Sequence, residues 1–257
     1  RDLHVLTHSF PTDALPISPQ DVLSIHQADL FLYTGPEMET WAQSIVESLP
    51  ADGPLVVNVS QGIVLTSVEE EHGHSHDDGH HHTYDPHIWT DPLQAKQIVQ
   101  NICSALSNLD AQNADLYQHN TQLYLAQLDA LDEAFRTVVA QGRRTEMIFG
   151  SPFSLYYFTQ RYGLSYEAAF DSCTGESEPS VATLVHLIEH IKQAQIPVVY
   201  ITELSDPKIA QSISEETGAE ILLFHACHNV SREDFQNGVS YLSLMWQNVE
   251  HLKKGLQ

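Results

Sequence analysis

Histidine carries the first chemical signal in this chain. From Glu69 to His82 the sequence reads Glu-Glu-Glu-His-Gly-His-Ser-His-Asp-Asp-Gly-His-His-His, with six imidazoles (His72, His74, His76, His80, His81 and His82), five carboxylates and two glycines. Neutral imidazoles close together on a flexible backbone trap zinc, nickel or copper. The stretch holds too little apolar surface to offset the entropy of ordering it, so residues 69–83 are expected to form a mobile metal-capture loop. The plain alternative is a solvated low-complexity loop or a purification tag. A tag fits poorly, because the tract is internal, mixed with acids and leads straight into structured sequence.

That following sequence, Tyr84-Asp85-Pro86-His87-Ile88-Trp89-Thr90-Asp91-Pro92, is of another kind. Residues before proline are pushed toward extended backbone, so Asp85 and Asp91 sit in defined turns and His87 is held between them. Taken alone, a histidine beside a tryptophan is more often a hydrogen-bonded core residue. Next to the histidine tract, it reads as a fixed metal ligand.

Further candidates lie far away in the chain: His4 and His8 near the start, Glu203, and the pair His225 and His228. Each has a bland reading: His4 as loose terminus, His225 as a satisfied buried imidazole, Glu203 as a carboxylate that hydrogen-bonds a loop. Together they suit a zinc ion held by histidines at about 2.0–2.1 Å. Of the three cysteines, Cys103 reads as a buried thiol. Cys173 and Cys227 would pair in an oxidising compartment, and Cys227 is a weaker candidate ligand.

The elements that must position these groups alternate. Ser18 caps a helix running to about Gln27, with Pro19 at its first position. Strands are expected over 29–35 and 54–60, with a helix through Trp41, Ile45 and Leu49 between them. A helix follows from Leu93 to Leu109. A longer one, from about Asn113 to Val139, carries the stripe Tyr117, Thr121, Tyr124, Leu128, Leu131, Phe135 and Val138. Beyond it come strands at 146–149, 166–170, 197–203 and 220–225, and helices at 153–160, 181–193, 206–217 and 241–256. This pattern predicts an α/β fold: two lobes, each with a mainly parallel sheet flanked by helices, joined by one long rigid helix. The expected division is an N-terminal metal-binding lobe over 1–110, a connecting helix over 111–142 and a C-terminal metal-binding lobe over 143–257. Ligands in open α/β sheets gather beyond the carboxyl ends of strands, where Glu203, His225, His228 and the segment with Cys173 and Glu176 fall.

The whole chain of 257 residues has 11 Lys and Arg against 34 Asp and Glu, a formal charge of −23. That balance repels nucleic acid and anionic lipid and favours cations. No run is long and apolar enough to span a bilayer. The first residues begin in mid-pattern, with no methionine and no signal-type apolar stretch, so they say nothing of targeting.

Several segments resemble a known family: Ser18-Pro19-Gln20-Asp21-Val22, Ala28-Asp29-Leu30-Phe31-Leu32-Tyr33, Asp85 through Pro92, Arg161-Tyr162-Gly163-Leu164, Glu178-Pro179-Ser180 and Ile213 through Gly218. The chain is similar to solute-binding components of metal-ion ABC transporters, in the zinc and manganese branch whose lobes are joined by one rigid helix. The resemblance implies a first metal histidine before Ser18 (His8, with His4 as alternative), a second at His87 and a last ligand at His225. Three departures mark this chain. Residues 11–17 intervene between His8 and Ser18 like an insertion. Gly150-Ser151-Pro152-Phe153 stands where the family carries a third ligand. His225, with His228 behind it, stands where the family usually has aspartate. His228 or Glu203 is therefore expected to supply the missing ligand.

The function expected on these grounds is capture of a divalent transition metal outside the cytoplasm, in the periplasm or as a surface lipoprotein, and delivery to an ABC permease. Histidine-rich ligation favours Zn2+, with Mn2+, Ni2+ and Cu2+ as alternatives. The chain is expected to be a monomer that binds no nucleic acid and catalyses no reaction. The rival readings are a zinc hydrolase, which needs an open coordination position and usually His-Glu-x-x-His, a motif missing from this sequence, and a metal-binding adhesin or metallochaperone that works without a transporter.

Overall fold

Ser18 opens the first helix as its type predicts. Its hydroxyl accepts from the Asp21 backbone N–H at 3.2 Å, and the Asp21 carboxylate accepts from the Ser18 N–H at 3.1 Å. This reciprocal cap starts α1 (Pro19–His26). The computed structural model describes residues 17–36, 39, 41–66, 84–170 and 179–257. His4, His8, the histidines from His72 to His82, Cys173 and Glu176 lie outside the described residues.

The described chain divides into two compact units, the first holding Ser18–Glu133 and Leu155–Arg161. In it β1 (Leu30–Tyr33) pairs in parallel with β2 (Leu55–Asn58), Leu30 opposite Leu55, and α2 (Ala42–Ser48) connects them. Such a parallel pair needs a crossover, and the helix predicted between the two apolar runs provides it. Asp91 then caps α3 (Pro92–Leu109), its carboxylate accepting from the Leu93 N–H at 2.8 Å. A 3-10 turn over Ala111–Asn113 leads into α4 (Ala114–Gln141), whose 28 residues make a rod of about 42 Å. Its Ala114–Glu133 portion belongs to the first unit and Ala134–Gln141 to the second. The predicted stripe is its sheltered face, with Leu128, Leu131 and Phe135 fully buried.

The second unit gathers Ala134–Ser154 and Tyr162–Gln257. Four strands, β3 (Glu146–Phe149), β4 (Ser165–Ala168), β5 (Val198–Ile201) and β6 (Glu220–Leu223), form a wholly parallel sheet in the order β4-β3-β5-β6. Side chains alternate across it. Ile148 and Val199 pack with Leu187 and Ile191 of α6 (Val181–Ala194) and Ala210 and Ile213 of α7 (Lys208–Thr217). On the other face Phe149, Tyr200 and Phe224 form a ring cluster with centroids 5.4–6.5 Å apart. There α9 (Tyr241–Leu256) approaches closely enough for the Tyr200 hydroxyl to donate to the His251 carbonyl at 3.3 Å.

Two local differences from the sequence reading have visible causes. The helix expected over 153–160 is α5 (Tyr156–Tyr162). Phe153 instead stacks on Tyr166 at 3.5 Å and meets Phe149 edge-on at 5.2 Å, so the chain stays extended until that ring is placed. A short helix not anticipated, α8 (Arg232–Gln236), starts where Ser231 accepts from the Asp234 N–H at 3.0 Å.

Gly255 lets α9 lie against Tyr200, because a Cβ there would overlap the buried Tyr200 hydroxyl. Alanine normally improves a helix interior by about 1 kcal/mol over glycine. Here Gly255→Ala is expected to destabilise by about 1–3 kcal/mol, since the obstructing ring is locked in the core. Urea denaturation of the variant checks the sign.

Candidate functional site

His87 sits in a turn that its neighbours determine. Asp85 Oδ1 accepts both from the His87 backbone N–H at 2.8 Å and from ring Nδ1 at 2.9 Å. The ring is 4% exposed, and Trp89 meets it edge-on at 5.5 Å. One carboxylate thus fixes both the backbone and the tautomer, placing the proton on Nδ1 and leaving Nε2 as the nitrogen able to coordinate. This is the carboxylate–histidine pairing by which metal sites orient their imidazoles.

Tyr157 pins this turn from below. Its hydroxyl donates to the Asp85 carbonyl at 2.8 Å and accepts from the Thr66 N–H at 3.1 Å, while the Asp85 N–H donates to the Thr66 carbonyl at 3.3 Å. Thr66 and Asp85 flank the histidine-rich stretch, so that stretch is rooted two residues from His87.

Arg161 anchors the far end of the motif. Its guanidinium makes a forked pair with Asp132 at 3.1 Å to each oxygen and approaches Asp91 at 3.7 Å. Burial raises Asp91 above the usual carboxylate range, against the pull of its own cap hydrogen bond and of Arg161.

The second unit brings Glu203, His225, Cys227 and His228 together beyond the adjacent ends of β5 and β6. Glu203, with its side chain 8% exposed, accepts from the Ala226 N–H at 2.7 Å, the His228 N–H at 2.8 Å and the Asn229 N–H at 3.2 Å. It therefore does what its bland reading proposed, and organises the loop that carries the histidines. Asn248 on α9, 1% exposed, brackets His225: its Oδ1 accepts from the His225 N–H at 2.7 Å and its Nδ2 donates to the His225 carbonyl at 2.8 Å.

The His225 ring is set differently from that of His87. Its Nδ1 accepts from the Cys227 N–H at 2.9 Å and lies 3.5 Å from Glu203 Oε2. Burial holds His225 below the ordinary histidine range, with Glu203 and Asp234 pulling the other way, so the ring is neutral near pH 7, as a metal ligand must be. Coordination through Nε2 would require the proton on Nδ1, exchanging the Cys227 bond for one to Glu203. Cys227, a free thiol, takes the left-handed backbone at φ +56, and burial followed by the Glu203 charge pushes its thiol up. That environment favours an inert thiol over a thiolate ligand. The His228 side chain is exposed.

Ser151 occupies the stretch where the resemblance implied a third ligand. It is fully buried and accepts from the Thr202 N–H at 3.0 Å, tying the end of β3 to the end of β5. Tyr157, Asn248 and Ser151 escaped the sequence reading. Asn248 had one signal, a polar side chain at a core position of an amphipathic helix. Cys103 is a free, half-buried thiol on α3.

The profile of a family described as the zinc-uptake complex component A, periplasmic (ZnuA), matches residues 13–255. The chain belongs to this family. Among ZnuA relatives, the high-affinity zinc uptake system protein ZnuA of Bacillus subtilis is 32% identical, over 99% of this chain and 80% of that protein. The zinc-binding lipoprotein AdcA of Streptococcus pneumoniae is 29% identical over 92% of this chain, which spans only 48% of AdcA. The crystal structure of the metal-dependent lipoprotein YcdH from Bacillus subtilis superposes with a TM-score of 0.84 at 30% identity, over 99% of this chain and 91% of the other. These matches establish the α/β architecture with parallel sheets and a long helix as that of the ZnuA family.

Arg161→Ala is expected to cost about 3–5 kcal/mol at neutral pH by taking the guanidinium away from two buried carboxylates. Without the guanidinium the Asp91 value rises further. A group whose folded value exceeds its unfolded one contributes stability fully below the unfolded value and loses it as pH rises through the folded one. The deficit is therefore full at pH 7 and shrinks as pH falls through the carboxylate range, which urea titrations at pH 7 and pH 4 would show. Glu203→Ala removes a charged acceptor from three amides and is expected to destabilise by about 2–4 kcal/mol, with Glu203→Gln milder. Thermal melts and amide exchange at Ala226, His228 and Asn229 check this.

Proposed function

We propose that this chain captures zinc outside the cytoplasm and hands it to the membrane permease of an ABC transporter. The observation that carries the reading is His87, buried and turned by Asp85 so that Nε2 coordinates, in a chain of the ZnuA family. The proposed ligands are His87 and His225, with His8 (or His4) and His228 completing the set. Glu203 serves as the support of the His225 loop. The six histidines between His72 and His82 would raise the local zinc concentration beside His87, because their stretch is rooted at Thr66 and Asp85.

Zinc is the cargo, and the chemistry is binding and release. A neutral His225 and a His87 oriented through its Nδ1 form a nitrogen-rich set that suits zinc better than manganese. No helix among the described residues is long and apolar enough to cross a membrane. Periplasmic or lipid-anchored placement is the setting the family supports.

Zinc titration of the chelator-stripped chain against a competing chelator tests the ligand set. His87→Ala and His225→Ala are each expected to weaken the tight site by about 100-fold or more, since even loss of an outer support costs about 10–100-fold. Free zinc at 100 times Kd should stabilise the parent by about 2.7 kcal/mol. Unchanged affinity in both variants would overturn the assignment. Replacing the six loop histidines by serine should lower total zinc uptake and leave the tight site in place.

A further inference from the structure

A second cluster of ligand-type side chains lies on the second unit, apart from the loop that holds His225. Glu146 is the first residue of β3, and Glu167 on β4 stands opposite Ile148 in the parallel register. Both carboxylates project from the sheet face covered by α6. There His186 and His190, one helical turn apart, stack with their rings 9° from parallel and centroids 6.2 Å apart. His190 Nε2 lies 2.9 Å from Glu146 Oε2, and His186 Nε2 lies 3.3 Å from Glu167 Oε2. Ligand atoms of Glu146, Glu167 and His190 all fall within 4.8 Å of one another.

We propose that Glu146, Glu167 and His190 form a second binding site for zinc or a similar divalent transition metal, with His186 beside it as the partner of Glu167. Tetrahedral zinc with bonds of about 2.0–2.1 Å separates its ligand atoms by about 3.4 Å, a spacing these three side chains reach with small rotations from within 4.8 Å of one another. Two carboxylates and an imidazole that gives up its proton on binding carry a charge of minus two, which matches the dication. Glu167 Oε2 adds an independent sign: it is sealed from solvent yet accepts no hydrogen bond, although His186 is within ion-pair distance. An ion held by the cluster would give that oxygen the well-aligned partner that the His186 ring does not.

The side chains remain partly open to solvent, between 27% and 66% exposed, so an ion can enter without unfolding α6. Because β3, β5 and β6 run parallel, Glu146 marks the amino end of the sheet, whereas His225 follows its carboxyl end. The two positions cannot share one ion. The mixed nitrogen and oxygen ligands also make this site harder than an all-histidine one, more open to cobalt and manganese.

Equilibrium dialysis of the full-length chain against Zn2+ tests the proposal. His186→Ala/His190→Ala is expected to lose one equivalent of zinc, and Glu167→Gln to weaken the same equivalent. Circular dichroism should show both variants folded, as the changed side chains lie on a partly exposed face. Zinc-edge anomalous diffraction from zinc-soaked crystals of the unaltered chain should show a peak bonded to His190 Nε2 and at least one of the two carboxylates. Equal stoichiometry in parent and variant, or no anomalous peak at the cluster in saturating zinc, would overturn it and leave two ordinary ion pairs. His225→Ala, run in parallel, removes a different equivalent. Failure there with success here would sink the ligand set of the proposed function and spare this site.

Discussion

An imidazole binds a cation through one nitrogen only when the other is told what to do. That constraint governs both histidine turns. At His87 a single carboxylate oxygen from Asp85 takes the Nδ1 proton and the backbone N–H together. At His225 the ring accepts from a neighbouring amide, and the carboxylate of Glu203 stands just beyond hydrogen-bond range. The first ring is already in the tautomer that coordinates through Nε2. The second reaches it by moving its proton toward Glu203.

Acidity in this chain therefore has a use beyond attracting cations. Asp21, Asp91 and Asp234 help cap helices, Asp85 and Glu203 collect backbone amides, and Asp132 pairs with Arg161. A carboxylate with several N–H partners replaces most of the hydration it loses on burial. The Asp85–Pro92 motif shows the economy of this scheme. Its first acid orients the histidine, its last acid starts α3, and the intervening Ile88–Thr90 turn is tied back by Thr90 Oγ1 donating to the His87 carbonyl at 2.8 Å.

Elements whose signal is local and periodic were legible in advance. The α4 stripe, the Ser18 cap and the alternating strands and helices follow from side-chain spacing, and spacing survives into the fold. The defined turn at His87 was legible because two prolines constrain its backbone. That Glu203 bonds a loop was one of its two readings, but its partners at Ala226, His228 and Asn229 were not legible, since they are joined to it only by the parallel pairing of β5 with β6. Asn248 and Ser151 were hidden for the same reason, as each acts on a residue distant in sequence. The delayed start of α5 depended on where Phe153 puts its ring, which no propensity encodes. His4, His8 and the 67–83 stretch, on which much of the reading rested, lie outside the described residues.

The hydrogen bonds joining Thr66, Asp85 and Tyr157 have one further consequence. They close the base of the 67–83 stretch independently of what fills it, so the span between the two anchors is a natural port for inserted sequence. Closure entropy grows only by about 0.6 kcal/mol for each doubling of loop length. A peptide epitope or a fluorescent reporter spliced between these anchors should leave the Thr66–Asp85–Tyr157 bonds, and with them the turn at His87, in place.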